Sequence, residues 1–293
     1  MINALIRGTA VFALTLLPTL TQAQPCSDLA TLRVAFIPQE ANQTEDGRYE
    51  GLIATLRDEL ARSITLVHVD SYGAVIEGRV DGTIDLAELG PGSYAIARDK
   101  GADITAFASM SRDSTTGPPS VYSSVLITLR DAGFRNIDDF RGASLSLVDP
   151  ASTSGALVPR LFVQRATSKP LETWFGRVSF AGSHDRSIEA VLHGRVDAAF
   201  VSDTKLRHGQ HDGQPAEELV DIIWRSAPIP SDPYAYQRSL CEPLKQAIRR
   251  TFFERQASLQ TLLTRRRMIA FVPVTDEAYH YLMSKMMSKT PDN

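Results

Sequence analysis

Apolar residues along this chain gather in short runs of strand length, and between those runs apolar positions recur three and four residues apart. Residues 32–38, 64–69, 85–89 and 104–110 read as strands, with helices over 49–63, 73–80 and 93–99 between them. A polar stretch carrying Gly and Pro, 111–120, reads as a connector. The apolar run 121–129 that follows is long enough to cross from one unit to another. The alternation then restarts, with a short helix over 137–141, a strand over 143–148 and a helix over 156–165. A strand over 177–181, a helix over 183–193 and a strand over 198–201 come next. Residues 208–215 read as a loop, 219–224 as a second long strand, and 238–263 and 275–287 as mostly helical. Strands alternating with helices predict an α/β fold. Two similar units joined by two strand crossings predict two lobes: lobe 1 from 24–120 and 229–293, lobe 2 from 121–228.

The two halves share a local pattern. Residues 75–87 and 188–199 each run from a helix through a Gly-containing turn to an Asp that opens a buried strand, Asp85 or Asp197. Gly suits a helix C-cap and Asp a turn, so the pattern reads as structural and carries no ligand role.

The most chemically suggestive stretch lies between the strand 143–148 and the helix that follows it. Ser152, Thr153 and Ser154 fall where that helix begins, near residue 154. A helix start offers free N–H groups and the positive end of the dipole, and three hydroxyls there make an uncharged cradle for an oxyanion. The plainer reading is that one of them only caps the helix.

The ends and the composition narrow the class. Residues 1–23 have the form of a cleaved export signal: Arg7, an apolar core over 10–17, Pro18, then small residues up to Ala23. The core is too short to span a bilayer, and no later segment is apolar enough to do so. A soluble periplasmic protein is therefore expected. Ala23-Gln24-Pro25 lacks the pattern that precedes a lipidated cysteine, which disfavours an anchor at Cys26. The two cysteines, Cys26 and Cys241, suggest a disulfide in an oxidising compartment, two unpaired thiols being the other option. A net charge of −3 argues against a nucleic-acid or membrane-surface partner, and makes any anion site a local one. No Cys or His spacing resembles a zinc site, and His193, His208 and His211 read as solvated. No metal, cofactor or second protomer is expected. The basic run Arg265-Arg266-Arg267 reads as an exposed helix face.

Several segments, in order, resemble the phosphonate, phosphite and phosphate periplasmic binding proteins of ABC importers. They are Tyr72-Gly73-Ala74-Val75-Ile76-Glu77, Leu89-Gly90-Pro91-Gly92-Ser93-Tyr94, Tyr122-Ser123-Ser124-Val125-Leu126, Asp149-Pro150-Ala151-Ser152-Thr153-Ser154-Gly155, Ala181-Gly182-Ser183-His184-Asp185 and Ile229-Pro230-Ser231-Asp232-Pro233. The resemblance implies a two-lobed, type II-like periplasmic binding protein with crossovers near 111–124 and 224–232. It also implies a small phosphorus oxyanion as ligand and an inner-membrane ABC permease as partner. Ser152, Thr153 and Ser154 match the residues that hold the oxyanion, Tyr72 and Tyr122 match cleft aromatics, and His184 matches a donating histidine. Asp232 matches an acid that faces the organic substituent, with Asp203 a second candidate. Two acids at one end of the cleft would favour an aminoalkylphosphonate. Tyr94 reads as a packing residue. The Gly-x-Ser-x-Gly elbow of serine hydrolases is missing, which speaks against an enzyme, whereas a sensor for a membrane receptor would use the same cleft.

Overall fold

The computed structural model of the protein describes residues 26–38, 45–277 and 279. The expected export signal and most of the expected helix over 275–287 lie outside the described residues.

Strands β1 (Thr31–Phe36), β2 (Ser63–Leu66), β3 (Leu86–Glu88) and β4 (Ile104–Ser111) alternate with helices α1 (Glu45–Leu60), α2 (Tyr72–Val80) and α3 (Pro91–Asp99). The chain then passes through β5 (Val121–Tyr122) into β6 (Ser124–Leu129) and β7 (Ser144–Leu147). Helices α4 (Val158–Thr167) and α5 (Leu171–Trp174), strand β8 (Arg177–Phe180), helix α6 (His184–Leu192), strand β9 (Ala198–Ser202) and helix α7 (Asp203–His208) follow. A small hairpin, β10 (Gln210–His211) and β11 (Gln214–Pro215), leads to β12 (Val220–Arg225). The chain returns through β13 (Ile229–Pro230) and β14 (Tyr234–Gln237) to helices α8 (Glu242–Phe253) and α9 (Gln260–Arg265) and strand β15 (Ala270–Pro273).

Two sheets result. The first has the order β15-β4-β14-β3-β1-β2, the second β12-β6-β9-β7-β8. Each has parallel strands on one side and antiparallel pairs on the other. Side chains of a strand alternate between faces, so each sheet buries two cores. Along β1, Leu32, Val34 and Phe36 join one cluster while Ala35 joins the other. Along β6, Leu126 joins one and Val125 and Ile127 the other. Helix α1 presents Tyr49, Leu52, Leu56 and Leu60 to the first core, a spacing of three and four that makes one apolar stripe.

The two lobes connect through a narrow antiparallel pair, β5 with β13, in which Tyr122 stands opposite Ile229. The run 121–129, expected as one strand, is thus two: Ser123 breaks it, its N–H donating to Asp203 Oδ1 at 2.9 Å. The first sheet also holds two strands not expected from the sequence, β14 and β15, and the expected loop 208–215 carries the β10–β11 hairpin.

Asp85 and Asp197 do the same structural work in the two lobes. Each carboxylate accepts the backbone N–H of the neighbouring parallel strand, Arg33 at 2.8 Å and Ser144 at 2.7 Å. Cys26 and Cys241 are joined in a disulfide that clips the start of the described chain to the cap of α8. The Cys26 sulfur is therefore not available for a thioether to lipid. Among the described residues no helix is long and apolar enough to cross a membrane.

Candidate functional site

Between the lobes lies a cavity of about 520 Å³. Tyr72, Tyr122, Ser152, Thr153, Ser154, His184 and Asp232 all line it, coming from both lobes and from the hinge between them.

The second-lobe wall is built on the turn after β7. Residues Thr153–Leu157 form one wide π-type turn before α4 starts at Val158, so regular helix begins later than expected. Such turns place backbone groups where an α-helix would not. Ser152 caps the turn by accepting the Gly155 N–H at 3.1 Å. A Cβ on Gly155 would lie 2.4 Å from Val148 Cγ2, so close packing against the strand end requires glycine there. The first N–H groups of the turn have no intrahelical acceptor and point out of its start.

The first lobe meets this wall directly. The Gly92 N–H in the opening turn of α3 donates to Thr153 Oγ1 at 2.8 Å, and Ser93 Oγ donates to the Ala151 carbonyl at 2.9 Å. The Tyr72 N–H reaches Asp149 Oδ2 at 3.3 Å. Tyr72 opens α2 under a Ser71 cap, which fixes where its ring stands. Tyr94, by contrast, is buried in lobe 1, where its hydroxyl donates to Asp276 at 2.5 Å.

The electrostatics favour uncharged donors at the cradle. Burial, then the charge of Asp232, pushes both Tyr72 and Tyr122 well above the usual phenol range, so both keep their protons. Tyr72 lies in hydrogen-bonding contact with Ser152, and Tyr122 with Thr153 and Ser154. Burial, with the charge of Lys205 second, lowers His184 to about 3, so its ring is neutral. Its Nδ1 accepts the Ser202 N–H at 3.1 Å, which leaves the proton on Nε2 as a donor.

Farther out, positive charge collects across the gap. Arg112 and Arg267 from lobe 1 line the cavity with Lys205 from lobe 2. Burial, then these charges together with Arg207, lowers His208 to about 4. The cavity is thus locally cationic in a chain of net negative charge.

Three sequence expectations need correction. Asp203 does not line the cavity: it is buried, holds the Ser123 N–H and pairs with Arg207 at 3.0 Å and Arg225 at 2.5 Å. Its charge is spent inside lobe 2, so it does not form the expected pair of cleft acids with Asp232. The run Arg265-Arg266-Arg267 is not one exposed face, because Arg266 turns inward to an ion pair with Glu88. Burial disfavours that guanidinium charge, but Glu88 together with Tyr49, Tyr234 and Asp232 outweighs it and raises the pKa overall. Glu88, whose Oε2 also accepts the Tyr49 hydroxyl at 2.8 Å, was missed as a cavity residue. Its signal was an acid at the end of the apolar run Leu86-Ala87. Finally, His193 is exposed as expected, whereas His211 is partly buried, and the two converge on Glu189.

Comparison with known proteins identifies relatives of the same fold. The protein described as "Phosphate-import protein PhnD" of Mycolicibacterium smegmatis is 28% identical over 268 residues, covering 85% of this chain and 83% of the relative. The "Phosphonates-binding periplasmic protein" of Escherichia coli is 26% identical over 251 residues, covering 84% of this chain and 72% of the relative. The solved structure of PhnD1 from Prochlorococcus marinus in complex with methylphosphonate superposes with a TM-score of 0.76 at 18% identity, covering 89% of this chain and 99% of the other. That structure shares the two-lobed fold. The sequence profile of the family described as "ABC transporter, phosphonate, periplasmic substrate-binding protein" matches residues 34–279, and the chain belongs to that family.

Proposed function

We propose that this protein is the periplasmic binding component of an ABC importer and holds a phosphorus oxyanion, a phosphonate or its relatives phosphite and phosphate, in the cleft between its lobes. A hydrated oxyanion enters a dry site only if fixed donors replace its water shell. Here the hydroxyls of Ser152, Thr153 and Ser154, the first N–H groups of their turn, the Tyr72 and Tyr122 phenols and His184 Nε2–H supply those donors. The dipole at the turn adds a few tenths to about 2 kcal/mol.

Asp232 stands beside this cradle. A Cβ built on Gly90 would be 3.1 Å from Thr153 Oγ1 and 4.0 Å from Asp232 Oδ1. A carboxylate so placed accepts a hydrogen bond from a protonated ligand oxygen and repels a fully ionised one. It therefore selects a hydrogen-phosphonate or hydrogen-phosphate over sulfate. The family's description and the names of the relatives support the same ligand class.

The units that move are residues 24–120 with 229–293, and 121–228, turning about β5 and β13. Ligand contacts to both lobes favour the closed form, which a membrane permease then receives. The protein works as an exported monomer and needs neither cofactor nor nucleic acid. The observation that carries this reading is the convergence of seven donor or acceptor side chains from both lobes on one cavity. Thermal-shift screening of tag-free protein against phosphate, phosphite, methylphosphonate and aminoethylphosphonate, with sulfate as control, tests it. A ligand at a thousandfold excess over its Kd adds about 4 kcal/mol, a shift of several degrees in Tm. If no phosphorus oxyanion shifts the transition, or if sulfate shifts it as far, the reading fails.

A further inference from the structure

A second constellation lies on lobe 2, where Glu189 lines the outer part of the same cavity but none of the cradle residues takes part. Glu189 lies on α6 and His193, four residues on, caps its C-terminal end, so the two share one side of the helix. His211 reaches them from the β10–β11 hairpin. The two-residue connection of that hairpin, Asp212-Gly213, has φ of 50° and 80°, the positive pair of a tight I′-type turn. The position of His211 is therefore fixed by backbone geometry, not by a loose loop. One ligand-type atom from each of the three side chains lies within 4.8 Å of the other two.

The distances suit a metal ion. His193 Nδ1 and His211 Nδ1 each lie 3.2 Å from the same carboxylate oxygen, Glu189 Oε2. Metal–ligand bonds of about 2.0–2.2 Å at a tetrahedral zinc give ligand–ligand edges of about 3.3–3.6 Å. The edge between the two rings is at most 4.8 Å, and the His193 side chain, 46% exposed, is free to turn and shorten it. His211 Nε2 lies 3.8 Å from Asp212 Oδ2, an exposed carboxylate that a small rotation brings to hydrogen-bonding distance of a metal-bound imidazole.

We propose that Glu189, His193 and His211 form a binding site for a borderline divalent transition-metal ion, zinc(II) in the first instance, with water completing the coordination. Two imidazoles and one carboxylate select such an ion over magnesium or calcium, which take oxygen ligands. In the metal-free form each Nδ1–H donates to Glu189, His193 to its carbonyl at 2.8 Å and His211 to its carboxylate. Binding shifts each ring proton to Nε2, and Asp212 accepts that of His211. The ion would tie α6, which carries His184 at its first position, to the hairpin behind it. All three ligands belong to lobe 2, so the ion gains no differential affinity for the open or closed form. The site stands or falls independently of the oxyanion reading.

Calorimetric titration of chelator-treated, tag-free protein with zinc chloride, in phosphate-free buffer, tests the assignment. The expected result is one equivalent bound at micromolar or lower Kd, with binding weakened at least about tenfold in Glu189→Gln and in His211→Gln. Circular dichroism checks that each variant is folded, and His68→Gln, on lobe 1, retains wild-type affinity. Lack of saturable binding by the wild type, or equal affinity in the wild type and both cluster variants, overturns the proposal.

Discussion

Gly90→Ala isolates lobe closure from folding. Gly90 caps α3 with φ of −65° and ψ of 153°, a conformation open to any residue. Inside its own lobe the new methyl would meet Ser93 Oγ at 3.6 Å, an ordinary contact. Its tight neighbour is Thr153 Oγ1 at 3.1 Å, on the opposite lobe. That hydroxyl is held by the Gly92 N–H and cannot retreat without stretching the bond. The cost therefore falls on the closed form alone, between about 1 kcal/mol for a weakened hydrogen bond and about 3 kcal/mol for overpacking. That is about a 5- to 150-fold loss of oxyanion affinity. The ligand-free protein should be unchanged or up to about 1 kcal/mol more stable, since Ala restricts the unfolded chain. Calorimetry gives the affinity for whichever of phosphate, phosphite and methylphosphonate binds tightest, and scanning calorimetry gives the ligand-free Tm. Wild-type affinity in the variant would show that Gly90 and Thr153 do not meet in the bound form. A ligand-free Tm lowered by several degrees would instead place the role of the glycine inside lobe 1.

Two further expectations come from the same cleft. Thr153→Ala leaves the Gly92 N–H without its acceptor and removes a cradle hydroxyl, so affinity should fall by about 1–3 kcal/mol while the ligand-free Tm holds; equal affinity in titrations of the two proteins would reduce the cluster to a helix cap. His184 is held at about 3 when folded against 6.5 when free, so the unfolded chain binds more protons in that window. Stability is then complete above about pH 6.5 and declines, by a few kcal/mol in order of magnitude, as pH falls toward 3. Urea unfolding at several pH values should show this slope flattened in His184→Gln, and an identical slope in the variant would refute the burial argument.

The hydroxyl turn, the two tyrosines, His184 and Asp232 were legible because each sits in a short local motif at the end of a strand or the start of a helix. What escaped was non-local. Strand β14 is four residues after Pro233 with three of them buried, too short to show a period, and it earns its place only by slotting between β3 and β4. Strand β15 ends on Pro273, tolerable because it is an edge strand. Arg266 looked solvated beside two other arginines because its partner, Glu88, is 178 residues away. Asp203 looked like a cleft acid because the arginines that neutralise it project from α7 and β12. The Asp212-Gly213 hairpin was readable from its turn residues but lay in a stretch too polar to suggest strands.

The strand order also dictates a schedule. Lobe 2 is one continuous stretch of chain and holds all its strands by Arg225. The first sheet, begun earlier, cannot be joined until Tyr234–Gln237 slides into the gap between its two halves. The covalent clip waits longer still, for a cysteine 215 positions downstream of its mate. A nascent molecule must therefore shelter a split, half-built sheet next to a finished neighbour, and oxidation can seal the clip only after that gap has its strand, though before β15 joins the sheet's edge.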